Sequence, residues 1–200
     1  SARSVSGGRM TDAVFFDTNL IRNADANFFF GNASKFQQIS RLAQIYIPTI
    51  VIEEIKWQKW ERLKSSLDSF KANYFSGLIG YDPNQLADHI PQQIQNLYDN
   101  AQSEFAFIEV PLKKELDHID YLKDLAVQKL APFEKKDDKG FKDAYIYLTI
   151  KQFLDENANH IFLFTNARYG FNICHLSLQM YKYDSFCSWC NRSFKLCFVN

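Results

Sequence analysis

The chain has 200 residues, of which 46% are hydrophobic and 16% aromatic, with 19 phenylalanines. That length and apolar content support one substantial core with room for an insertion, and they exclude a disordered chain. The formal net charge is zero, which excludes a strong global attraction to a polyanion, so any nucleic-acid contact must come from a local patch.

Ser1 to Arg9 is rich in Ser and Gly and reads as an expression scar ahead of an initiator, Met10, so residues 10–200 are expected to form a single domain. No run approaches the ~18 apolar residues of a membrane span and no signal peptide is legible, which gives a cytoplasmic address by default. Ala13-Val-Phe-Phe16 is continuously apolar and ends in Asp17-Thr18-Asn19. Unbroken apolarity marks a strand covered on both faces, as in a parallel α/β sheet. Helix is expected in the second half of Ile21 to Leu42, from about Ser34. Pro48 suits a first helical turn, where its missing N–H costs nothing. The helix it opens is long, because Trp60, Leu63, Leu67, Phe70 and Tyr74 recur at steps of three and four and form one apolar stripe. Gly80 to Pro83 breaks it, and Gln85 to Ala101 is a second helix. Together residues 56–104 read as a helical arm inserted into a smaller sheet domain.

Phe105 to Val110 reads as a strand ended by Pro111, and Leu116 to Leu130 and Asp143 to Leu154 as helices. Ile161-Phe-Leu-Phe164 repeats the first pattern, an apolar strand finishing in small residues, Thr165-Asn166-Ala167. Lys195 to Val199 is the last expected strand. The fold class is therefore α/β, with a central, mostly parallel sheet, and its sites are expected at the strands' carboxyl ends. Cys187-Ser-Trp-Cys190 has metal-ligand spacing, but a second ligand pair at comparable spacing is missing. Cys174, Cys187, Cys190 and Cys197 are read as reduced, partly buried thiols.

Three acids stand where a cluster can form: Asp17 after the first strand, Glu54 in the helix that Pro48 begins, and Asp143 opening a later helix. Each has an ordinary reading, as a turn former, a solvated residue or a helix-dipole partner respectively. Carboxylates held together repel unless a cation joins them, and a hard divalent ion on oxygen ligands suits phosphodiester hydrolysis.

Taken together the motifs resemble the PIN domain, in its longer bacterial form with a helical insertion. They are Val14-Phe-Phe-Asp17-Thr-Asn19; Pro48-x-x-Val51-x-x-Glu54-Ile55; Pro132-Phe133 followed by Gly140-Phe-Lys-Asp143-Ala-Tyr-Ile146; and Ile161-Phe-Leu-Phe-Thr165-Asn166-Ala167. The resemblance covers most of Met10 to Phe171, except the middle of the insertion. It implies a three-layer fold and one or two Mg²⁺ or Mn²⁺ ions held by Asp17, Glu54 and Asp143, with Glu53 as second choice if the helix register differs. It also implies hydrolysis that leaves 5′-phosphate and 3′-hydroxyl ends, with Asn19, Thr165 and Asn166 supporting the pocket. Ala167 stands where the family usually has a fourth acid. Either an aspartate was replaced to silence a toxic nuclease, which the scar favours, or the chain is naturally degenerate.

The expected function is a metal-dependent endoribonuclease, a toxin or anti-phage effector. RNA is its substrate, and an antitoxin or partner subunit its restraint; the oligomeric state is open. A non-catalytic module that binds RNA or a protein is the alternative. A phosphatase of the haloacid dehalogenase type would want an acid at position 19, where Asn19 stands. For RNA contact the candidates are Lys56, Lys59 and Arg62 on the long helix, and Lys139, Lys142 and Arg168 beside the acidic motifs. Trp57 and Trp60 offer stacking surfaces, although Trp60 heads the apolar stripe and reads as core.

Overall fold

The apolar run Ala13–Phe16 forms β1, buried along its whole length, at the centre of the only sheet seen among the described residues. The computed structural model describes residues 13–23, 25–72, 82–113, 116–127, 140–157, 161–167 and 170–176. The other strands are β2 (Gln44–Pro48), β3 (Ile108–Val110), β4 (Ile161–Ala167) and β5 (Gly170–Leu176), in the order β3-β2-β1-β4-β5. β1 runs parallel to β2 and β4, β2 parallel to β3, and β5 closes one edge antiparallel to β4. The helices are α1 (Thr18–Ile21), α2 (Ala33–Ser40), α3 (Thr49–Lys71), α4 (Pro83–Phe105), α5 (Leu116–Val127) and α6 (Gly140–Asn157). This is the mostly parallel, helix-flanked α/β fold expected from the sequence.

Adjacent residues of a strand point to opposite faces, and β1 uses this to bind two helical layers. Phe15 meets Phe153 of α6 edge to face at 5.2 Å and stacks on Tyr46 of β2 at 5.6 Å. Phe16 meets Phe36 of α2 at 4.7 Å on the other side. Phe36 in turn touches Phe30 and Phe105, each at 4.9 Å between ring centres. Phe16, Phe30, Phe36 and Phe105 form the aromatic cluster on that second face. α3 and α4 are 23 residues each and pack on one another. The later half of α4 puts Ile94, Leu97, Tyr98 and Ala101 into the same core as β1.

Several elements differ from their sequence-based expectation. Phe105 ends α4 rather than opening a strand, because Ala106 takes a positive φ of 48° that terminates the helix and delays β3 to Ile108. β2 was not expected; its alternation of buried Ile45 and Ile47 is overshadowed by Pro48, which is the last residue of β2, with the helix starting at Thr49. β4 does not stop at Phe164 but continues through Thr165, Asn166 and Ala167, which pair with Asn172, Phe171 and Gly170 of the unforeseen β5. α6 begins three residues before Asp143, at Gly140. The strand expected at Lys195 to Val199, the break at Gly80 and Cys187, Cys190 and Cys197 lie outside the described residues.

Between α1 and α2 the chain makes a tight excursion. The amide of Gly31 donates to the carbonyl of Ile21 at 2.8 Å, and a Cβ on Gly31 would stand 2.9 Å from the Arg22 carbonyl oxygen. Only glycine fits that approach. Asn23 and Asn32 close the same loop by donating to the carbonyls of Phe30 and Leu20.

One core polar contact has a pH signature. Tyr98 is buried, and its hydroxyl donates to Glu109 at 2.6 Å. Burial, and then the bond to the Glu109 carboxylate and its charge, push the phenol pKa well above its ordinary value of 10.0. Unfolding therefore releases a proton at high pH, so this contribution is complete below pH 10 and is lost as pH rises above it. Tyr98→Phe is expected to cost about 1–2 kcal/mol at neutral pH and to flatten the alkaline limb of a stability-against-pH curve from denaturant titrations.

Candidate active site

β1, β2 and β4 are parallel, so their carboxyl ends share one edge of the sheet. Asp17 is the first residue beyond β1, extended and half-buried, at the N-cap position of α1. β2 leads directly into α3, which carries Glu54. β4 pairs with the end of β1 through Phe164 opposite Phe16, then runs on past it, so Thr165, Asn166 and Ala167 extend the same edge.

Glu54 ties the edge together. The hydroxyl of buried Thr18 donates to Glu54 Oε2 at 2.7 Å, and Gln58, one turn further along α3, donates to Oε1 at 2.9 Å. The ammonium of Lys142, in the first turn of α6, forms an ion pair with Oε1. Thr18 follows Asp17 and Lys142 precedes Asp143, so the two other acids stand one residue from the groups on Glu54. Asn19 donates to Asp17 Oδ2 at 3.4 Å. Asp17, Glu54 and Asp143 thus come from three distant segments to one end of the sheet. Asp143 itself is exposed, and among the described residues no three acidic, His or Cys side chains are close enough to form a metal cage. The donor set still suits a hard divalent ion: the candidate ligands are carboxylate oxygens, and Glu54 already holds a positive charge in the Lys142 ammonium.

The cations proposed for RNA contact separate. Lys59 is buried, its Nζ donating to the carbonyl of Asp25 at 2.9 Å, which corrects its reading as part of an open helix face. Burial, and then repulsion from Arg62, lower its pKa against a smaller opposing pull from Asp25. Arg62 is exposed and donates to the Asn23 carbonyl at 3.0 Å, alongside Lys59. Lys56 turns instead to α4, bonding Gln95 at 3.0 Å and covering the Tyr98 ring. Trp60 is partly buried against the core, while Trp57 is 56% exposed and stacks on it at 4.9 Å. Lys139 and Arg168 lie outside the described residues.

Two groups at this edge were not assigned a role from sequence, Thr18 and Gln58. Thr18 had a signal only in its place, a hydroxyl between Asp17 and Asn19 just past the end of an apolar strand. Gln58 stands four residues after Glu54 on one helix, a spacing that brings side chains into contact.

A family model described as the PIN domain matches residues 14–171, from β1 through the start of β5. The chain belongs to the PIN domain family. The matched range includes Asp17, Glu54, Asp143 and Ala167, the positions singled out from the sequence motifs, and the fold is a nuclease-type one. Comparison with curated proteins and with solved structures gave no match. No helix of the PIN domain's described residues is long and apolar enough to cross a membrane.

Proposed function

We propose that this chain is built as a metal-dependent endoribonuclease in which Asp17, Glu54 and Asp143 hold one or two Mg²⁺ or Mn²⁺ ions, and in which Ala167 stands in the place of a fourth aspartate. One observation carries the reading: the Glu54 carboxylate is held between Thr18 and Lys142, the neighbours of Asp17 and Asp143, at the carboxyl edge of a parallel sheet. A bound divalent ion supplies Lewis acidity to water and to the scissile phosphate. The chain's own part is positional. Thr18 and Gln58 fix the direction of Glu54, and Asn19 steadies Asp17. Lys142 is half-exposed on a flexible stem, free to pass from Glu54 to a phosphate oxygen when substrate arrives. Thr165 and Asn166 extend the edge on which the substrate would lie.

A nuclease of this kind needs restraint, so we place it among toxins or anti-phage effectors acting in the cytoplasm under an antitoxin or a partner subunit. Residues 56–104 are then the insertion that distinguishes this domain from a minimal one. The experiment is to install Ala167→Asp and follow cleavage of RNA with Mn²⁺, with Mg²⁺ and with EDTA. Cleavage by the Ala167→Asp variant that EDTA stops, against little or none by the parent chain, is the expected result. Ala167 and the absence of a three-acid group among the described residues favour one rival, a degenerate module that binds RNA without cutting it. That rival predicts no cleavage by either protein and RNA binding indifferent to metal.

A further inference from the structure

Beside the acidic edge lies a cavity of about 580 Å³ between α3 and the loop after α1. Three cations line it from two segments: Arg22 from the loop, Lys59 and Arg62 from α3. The ion pairs among the described residues involve none of the three. Lys59, almost wholly buried, has three N–H donors and meets one acceptor, the Asp25 carbonyl. Arg62 likewise spends one of its five donors on the Asn23 carbonyl. Asp25 and Glu61 also line the cavity, and counting their charges leaves a single excess positive charge among its residues. Ser65 and Ser66 add hydroxyls at one end. Gln58 lines the cavity too, and its amide is the group that holds Glu54, so the cavity and the acidic edge share a wall.

We propose that this cavity is a phosphate subsite for the nucleic-acid chain, in which Arg22, Lys59 and Arg62 seat a phosphate neighbouring the one at Glu54. The proposal rests on the nuclease reading for the identity of the polyanion. The physical case is independent of it: burying an ammonium is costly without full hydrogen bonding, and a tetrahedral oxyanion supplies the missing acceptors to all three side chains. The site is already shaped, because the close approach at Gly31 and the two backbone carbonyls fix the loop against α3.

The test is binding of a labelled single-stranded oligoribonucleotide to the chain as it stands, in EDTA and across a salt series. Arg22 and Arg62 are exposed, so Arg22→Gln/Arg62→Gln should fold normally, and Arg41→Gln, on another exposed surface, is the control. Losing one phosphate contact should lower the slope of log affinity against log salt by about 0.7, with several-fold weaker binding at low salt. The control should match the parent. Equal slopes for the double variant and the control would overturn the subsite, as would competition by 5′-AMP or inorganic phosphate as effective as that of the oligonucleotide. Because the readout is binding, the two readings fail separately. A subsite without cleavage by the Ala167→Asp protein removes only the enzyme, and cleavage without a slope change removes only the subsite.

Discussion

In the Ala167→Asp protein, Glu54→Gln is expected to lower Mn²⁺-dependent RNA cleavage by about a hundredfold or more, because a carboxylate ligand contributes several kcal/mol to stabilising a metal-assisted transition state. The substitution is nearly isosteric, and its amide oxygen still accepts from Thr18. What it removes is the charge facing Lys142, whose side chain is 47% exposed and can return to water. The stability cost should therefore stay within about 1 kcal/mol. Metal-titrated cleavage and a thermal melt measured together check both halves. Retained activity would remove Glu54 from the ligand set and turn attention to exposed Glu53, one residue earlier on α3.

Phe15→Ala should cost about 3–5 kcal/mol, a large share of the roughly 5–15 kcal/mol that holds a domain of this kind together. Phe15 is fully buried, stacked on Tyr46 and edge-on to Phe153, so truncation empties the space between β1, β2 and α6. A drop in the guanidinium midpoint with unchanged slope is the expected signature. Phe28→Ala, at a side chain 59% exposed, should change stability by no more than about 0.5 kcal/mol. If the two variants cost the same, β1 is not the centre of the core.

β1 and β4 were legible because unbroken apolar runs such as Ala13–Phe16 and Ile161–Phe164 have few other uses. The long helices were legible: α3 carries the apolar stripe headed by Trp60, and α4 brackets the expected Gln85 to Ala101. β2 was hidden because five residues carry little periodic signal beside a strong helix opener, and β5 because its Gly170–Leu176 run mixes polar and apolar residues. The acids' arrival at one sheet edge follows from parallel strand order, which the motif order anticipates. Their second layer was less legible. No pattern says that Lys142 pairs with Glu54, or that Lys59 turns inward while Lys56 crosses to α4. Those outcomes depend on how α6, α4 and the loop after α1 sit on α3, and packing between distant segments leaves little local trace in sequence.

Ala13 of β1 finds its partner Ile161 only near the end of the matched domain. During synthesis β1 emerges before this partner and has one flank open until Ile161 has left the ribosome. Asp143 also emerges well after Asp17 and Glu54, so a polypeptide that stops short of it cannot bring the three carboxylates to one edge of the sheet.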